Sequence, residues 1–150
     1  MSRREFFTES DEATVELGRR LAAEIAAPRV LLLVGQLGAG KTTFAKGLIS
    51  GLGAAREEEV TSPSFTLVHQ YGTATRVYHI DLYRIEPGRD METLGLDDVF
   101  RRNAVVLIEW GEKLAGLYHG PLLEIHFQDL GGDCRKIVVE DVVEQLDRNQ

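Results

Sequence analysis

The sequence predicts an α/β fold: a mixed central sheet with an antiparallel hairpin portion and flanking helices. Three observations carry this. Two short runs, at 30–34 and 104–108, are apolar throughout and rich in strand formers, the signature of strands buried on both faces. Helical spacing lies on either side of the first run, which is the alternation a parallel sheet needs. Two extended segments, 65–71 and 75–82, meet around Gly72 and read as a hairpin.

Each element has its own local signal. Over 8–26, Ala13, Leu17, Leu21 and Ile25 recur every fourth residue, and Pro28 ends the pattern. Thr8 and Ser10 are both N-cap candidates there, and Thr8 with Asp11 fits a capping box. After the strand at 30–34, Gly35, Gly38 and Gly40 punctuate a loop. Helical spacing returns over 41–52 with Phe44, Leu48 and Leu52, and Gly51 and Gly53 loosen its end. Glu57, Glu58 and Glu59 form an acidic, solvated run. Pro87 and Gly88 mark a turn, and a short helix is expected within 91–101. The second buried run ends in Glu109 and Trp110. Strands are expected at 122–127 and 135–139 around Gly131 and Gly132, and a C-terminal helix at 141–146. No repeat or linker divides the chain, so residues 1–150 are expected to form one domain.

Composition narrows the function. The chain holds 17 Lys and Arg against 24 Asp and Glu, a net charge of -7, so it lacks the basic footprint of an autonomous nucleic-acid binder and DNA is not an expected partner. Cys134 is the only cysteine, which excludes an intrachain disulfide and fits a reducing, cytoplasmic compartment. The first ten residues lack the apolar stretch of a signal peptide, and the longest apolar run, 30–34, is far too short to span a bilayer.

One motif carries specific chemistry. Gly35-Gln36-Leu37-Gly38-Ala39-Gly40-Lys41-Thr42 matches the phosphate-binding pattern G-x-x-x-x-G-K-[ST], with a buried strand before it and a helix after it. This predicts the P-loop NTPase fold. Glycines at 35, 38 and 40 allow the backbone to wrap a phosphate with its N–H groups, helped by the positive end of the following helix. Ala39 belongs to the same loop. Lys41 is expected to reach the β- and γ-phosphates, Thr42 to ligate Mg²⁺, and Thr43 to meet the α-phosphate.

Such a site needs an acid near the metal. Glu109 ends the second buried strand, where it either serves the metal, directly or through water, or is a surface acid. Asp81, in His79-Ile80-Asp81-Leu82-Tyr83-Arg84, either orients the attacking water or pairs with Arg76 or Arg84. Thr61-Ser62-Pro63-Ser64-Phe65 reads as a phosphate-sensing segment or a strand lead-in. Trp110 reads as a stacking residue or a core residue. His69, His79, His119 and His126 show no metal-ligand spacing and read as structural or surface residues. Arg101-Arg102 and Arg135-Lys136 are local basic pairs, with solvated faces the default, and Cys134 reads as a core or edge residue.

Together, 37–44, 61–65, 79–84 and 108–110 resemble the bacterial TsaE (YjeE) family, the small ATPase of the tRNA threonylcarbamoyladenosine modification system. The resemblance covers nearly the whole chain. It implies ATP binding and slow hydrolysis with Mg²⁺, with Thr42 and Glu109 as metal ligands and Asp81 as an acid required for activity. It also implies that Ser10 contacts the nucleotide, as does a C-terminal basic residue, Arg135 or Lys136. The implied partners are a TsaD-like threonylcarbamoyl transferase and its inactive TsaB-like paralogue, with tRNA engaged indirectly through that complex. Hydrolysis would then reset the complex between turnovers. This chain departs from the family pattern at Ser64, where threonine is more frequent, and at Gly111, where proline is common. Two other functions use the same loop: a small-molecule kinase, which needs an acceptor pocket and a lid, and an assembly module that hydrolyses ATP only incidentally.

Overall fold

The computed structural model describes residues 3–36, 38–63, 68–82, 95–110, 118 and 120–142. The strands are β1 (Arg3–Thr8), β2 (Arg29–Val34), β3 (Val68–Tyr71), β4 (Arg76–Asp81), β5 (Ala104–Glu109), β6 (Leu122–Gly131) and β7 (Cys134–Val142). The helices are α1 (Asp11–Ala22), α2 (Lys41–Gly51) and the short α3 (Leu96–Arg101), and a 3-10 turn covers Glu57–Glu59. One sheet contains all seven strands in the order β1-β7-β6-β2-β5-β4-β3. Its centre is parallel: β2 pairs with both β5 and β6, and β4 pairs with β5. Both flanks are antiparallel, with β3 on β4 and with β6, β7 and β1 in succession. This is the mixed sheet that the two apolar runs and the hairpin signal predict.

Every residue of β5 is buried, as its unbroken apolar sequence requires for a strand covered on both sides. On one face, α1 and α2 pack over Leu31, Leu33, Leu107, Ile125 and Ile137. On the other, Leu96 and Val99 of α3 join Val30, Ile80, Val106 and Ile108. The two large helices approach backbone to backbone. A Cβ on Gly47 would lie 1.8 Å from the carbonyl oxygen of Val15, and one on Gly18 would lie 2.4 Å from that of Phe44. This contact fixes where α2 begins, and so where the glycine loop sits. No helix among the described residues is long and apolar enough to cross a membrane.

Several boundaries differ from the sequence expectation, and β6 runs past its expected end at Phe127 to Gly131. Residues 3–8 form β1, which the sequence did not announce. β1 is an edge strand that exposes Arg3, Arg4, Glu5 and Phe7, so it shows no apolar alternation. Thr8 therefore ends a strand instead of capping a helix. The helix starts at Asp11, and the Ser10 hydroxyl caps it by accepting from the Ala13 amide at 3.0 Å. The helical pattern also ends early. The amides of Ala23, Glu24 and Ile25 donate to carbonyls three residues back, a 3-10 unwinding before Pro28. Finally, Asp141 and Val142 belong to β7, where Val142 packs into the second core; the rest of the expected C-terminal helix lies outside the described residues. The Pro87–Gly88 turn and residues 91–94 of the expected helix also lie outside them.

Thr8 keeps a structural role. Its hydroxyl and that of Thr14 share a buried hydrogen bond of 2.8 Å, which ties β1 to α1. Thr14→Val leaves the Thr8 oxygen without that partner and is expected to destabilise the protein by about 1–3 kcal/mol. A lower urea midpoint with an unchanged slope is the expected reading in equilibrium unfolding.

Candidate active site

The parallel strands place their carboxyl ends along one edge of the sheet, where α/β proteins bind ligands. β2 runs into the loop at 35–40, and α2 leaves it. In register, Glu109 pairs with Leu33 of β2 on one side and with Asp81 of β4 on the other. Thus three chain segments far apart in sequence deliver Lys41, Glu109 and Asp81 to one place. Their exposures are 5, 4 and 5%.

The loop has the backbone an anion site requires. Gly38 and Gly40 have φ of 80° and 102°, a region that side chains strain to enter, and a Cβ on Gly38 would meet nothing. Gly35 is packed instead, since a Cβ there would lie 3.0 Å from the Phe127 carbonyl oxygen. The two large helices differ at their N-termini. α1 has its own cap in Ser10 and acids at Asp11 and Glu12 in its first turn. α2 starts after Gly40 with no side-chain cap and no acid in its first turn, where Thr42 and Thr43 are half-buried. Its first N–H groups and positive end are left for an external anion.

Lys41 sits at the base of this cradle. Its Nζ donates to the Gly35 carbonyl at 2.6 Å and lies 3.7 Å from Glu109 Oε1. The ammonium also stands 4.5 Å from the centre of the Trp110 ring. Trp110 is half-buried with φ at 61°, and it lines a cavity of about 230 Å³ with Leu33, Val34, Gly35 and Gln36. It therefore faces the lysine and the loop. The second oxygen of Glu109, Oε2, lies 2.7 Å from Nε2 of His79. Sequence spacing reads His79 as a structural or surface residue; the structure buries it completely. Its link to Glu109 crosses between strands, which no local pattern reveals.

Arg135 joins the loop from β7. It is 8% exposed, and a Cβ on Gly40 would lie 3.0 Å from its Nε. Nη2 donates to the Gly38 carbonyl at 3.5 Å, and Nη1 donates to the carbonyls of Gly132 and Cys134 at 3.2 and 3.3 Å. Nε is buried and has no hydrogen-bond partner among the described residues. Lys136 points to the other face, 3.3 Å from Glu5. There Arg3 and then Lys136 hold the Glu5 carboxyl below the usual carboxylate range.

Other sequence candidates fall away from this cluster or outside the described residues. The Thr61 amide donates to the Tyr71 hydroxyl at 3.3 Å, so this segment leans on the hairpin. His69 also bonds that hydroxyl, at 3.2 Å, and His126 bonds Glu124 at 3.0 Å. Cys134 is a half-buried free thiol. Arg101 and Arg102 are exposed. Leu37, Ser64, Phe65, Tyr83, Arg84, Gly111 and His119 lie outside the described residues.

The residues present fit a nucleotide and Mg²⁺. The glycine cradle, the uncapped helix and the orphaned Arg135 Nε suit polyphosphate. A threonine hydroxyl and a carboxylate are hard oxygen donors of the kind Mg²⁺ takes. Among the described residues no group of three or more His, Cys, Asp or Glu could hold a metal alone. In phosphate sites Mg²⁺ takes one or two protein ligands and completes its shell with phosphate and water.

Comparison with known proteins places the chain in a family. The family model described as "Threonylcarbamoyl adenosine biosynthesis protein TsaE" matches residues 8–137. The tRNA threonylcarbamoyladenosine biosynthesis protein TsaE of Bacillus subtilis is 39% identical over 131 residues, covering 87% of this chain and 80% of that protein. The protein of the same name from Treponema pallidum is 39% identical over 110 residues, covering 73% and 80%. The crystal structure of YdiB from Bacillus subtilis superposes with a TM-score of 0.75 at 32% identity, covering 95% of this chain and 86% of that one. The chain belongs to the TsaE family, the ATPases of the tRNA threonylcarbamoyladenosine biosynthesis system.

Proposed function

We propose that this chain is a cytoplasmic ATPase that binds ATP with Mg²⁺ on the loop at 35–42 and hydrolyses it slowly. Hydrolysis resets a TsaD-like transferase with its TsaB-like paralogue between rounds of threonylcarbamoylation at N6 of the adenosine next to the tRNA anticodon. The observation that carries this reading is the meeting of Lys41, Glu109 and Asp81 beside the uncapped start of α2.

The residues divide the work. The backbone of Gly35, Gly38, Ala39 and Gly40, with the first turn of α2, holds the phosphates. Lys41 exchanges its hold on the Gly35 carbonyl for the β- and γ-phosphate oxygens, and Thr43 holds the α-phosphate. Arg135 braces the loop through Gly38 and offers its buried Nε toward the nucleotide. Ser10, whose hydroxyl caps α1, contacts the nucleotide from the start of that helix. Thr42 and Glu109 hold Mg²⁺, which when bound neutralises charge building on the phosphate oxygens. Asp81 orients a water for in-line attack on the γ-phosphorus. The bond to the bridging oxygen then breaks, and ADP and phosphate leave. The chain's net charge of -7 fits tRNA reaching this subunit only through its partners.

Asp81→Asn tests the reading. It keeps the shape of the side chain and removes the charge that orders the water. Hydrolysis is expected to fall by about 10²- to 10⁴-fold with ATP affinity near wild type. In assays with tRNA in excess over the transferase subunits the variant is expected to support one round of tRNA modification per transferase and then stop. Repeated rounds at the wild-type rate would contradict the resetting role and favour an assembly module.

A further inference from the structure

We propose that His79 is a positioning residue: it fixes the plane of the Glu109 carboxylate, so that one oxygen is held by the imidazole and the other is presented to the phosphate end of the site. This rests on the reading of Glu109 as a metal-holding acid.

Strand geometry places the pair. On β4, His79 and Asp81 are two residues apart and share a face; on β5, Leu107 and Glu109 do the same. His79 is in register with Leu107 and Asp81 with Glu109, so the imidazole lies one step behind Asp81 and one strand away from Glu109. The Nε2 to Oε2 separation of 2.7 Å is short for N–H···O, as expected when the acceptor is a carboxylate. An ionised carboxylate can only accept, and with that form of Glu109 the bond requires the proton on Nε2.

Ordinary core packing does not account for this residue. His79 is 0% exposed, among apolar neighbours that include Val77 and Leu107. Its Nδ1 is buried and has no hydrogen-bond partner among the described residues. An apolar side chain would fill the position without that unsatisfied nitrogen, whose burial is costly. Among the described residues the one polar contact of the ring is Glu109.

The consequence is specific to the carboxylate. The terminal torsion of glutamate is broad, so the plane of an unsupported carboxylate wanders. With Oε2 held by His79, Oε1 is the oxygen turned toward Lys41, at 3.7 Å. Partners that orient a ligating group in this way typically contribute about 10- to 100-fold in metal affinity.

The test is the Mg²⁺ concentration that half-saturates binding of a fluorescent ATP analogue, with analogue affinity in EDTA as the second readout. His79→Leu is expected to raise the Mg²⁺ requirement about 10- to 100-fold, with EDTA affinity within about threefold of wild type. His79→Gln places an amide N–H near the Nε2 position and is expected to restore the requirement to within about threefold. His79→Asn places its amide near Nδ1 and is not expected to restore it. Should His79→Leu fail to fold, the glutamine and asparagine variants decide the question. An unchanged Mg²⁺ requirement in His79→Leu, or equal requirements in the glutamine and asparagine variants, overturns the proposal. Glu109→Gln in the same assay keeps the two readings apart. If it leaves the requirement unchanged, the metal reading of Glu109 fails. If it raises the requirement while His79→Leu does not, only the positioning role fails.

Discussion

Lys41→Ala is expected to lower ATP hydrolysis by about 10²- to 10³-fold or more, the loss seen when one preorganised group facing developing charge is removed. Two effects combine. The variant loses the cation that would meet the β- and γ-phosphates from a buried position, 5% exposed, where a charge-assisted bond is strong. It also leaves Glu109 Oε1 without the ammonium 3.7 Å away, and the Gly35 carbonyl without its 2.6 Å donor. Nucleotide affinity is therefore expected to fall along with turnover, which separates Lys41→Ala from Asp81→Asn. Lys41→Arg is not expected to rescue it. The planar guanidinium is larger than the ammonium and cannot reproduce its compact charge between Gly35 and Trp110. Calorimetric titration with ATP and steady-state hydrolysis measure the two effects independently.

Gly47→Ala is expected to produce the largest loss of stability of any change that adds one methyl group. On helix propensity alone the substitution would stabilise α2 by about 1 kcal/mol. The packing says the opposite, because the added Cβ would sit 1.8 Å from the backbone oxygen of Val15, and a backbone atom cannot swing aside as a flexible side chain can. The helices must separate, at a cost of roughly 3 kcal/mol or more. In a domain of this size that lowers the melting temperature by about 6–12 °C. Nucleotide binding is expected to weaken as well, since α2 carries Lys41 and Thr42 in its first turn. Scanning calorimetry with and without ATP measures both effects. A variant as stable as wild type would contradict the close helix contact.

Much of this was legible in the chain. Where burial is complete, as in β5, composition alone marks the strand. The phosphate loop was legible because its residues are contiguous and their spacing is set by the ligand. β1 was not, because an edge strand with a charged outer face has no apolar period to read. β7 ran past its expected end because Asp141 and Val142 still pair with β6 at Leu123 and Leu122. The position of Arg135 was within reach. It has the same strand parity as Ile137 and Val139, which face the helices, whereas Lys136 has the opposite parity. The bond from His79 to Glu109 was out of reach, because it depends on which strands become neighbours and in what register.

ATP hydrolysis at this loop is proposed to drive repeated tRNA modification by partner subunits. The most direct measurement is the number of tRNAs modified per transferase when the TsaD-like and TsaB-like subunits are supplied with this chain, ATP and the threonylcarbamoyl donor. Many rounds are expected with the wild-type chain and no more than about one with Lys41→Ala. Equal multi-round modification by the two proteins would contradict this role.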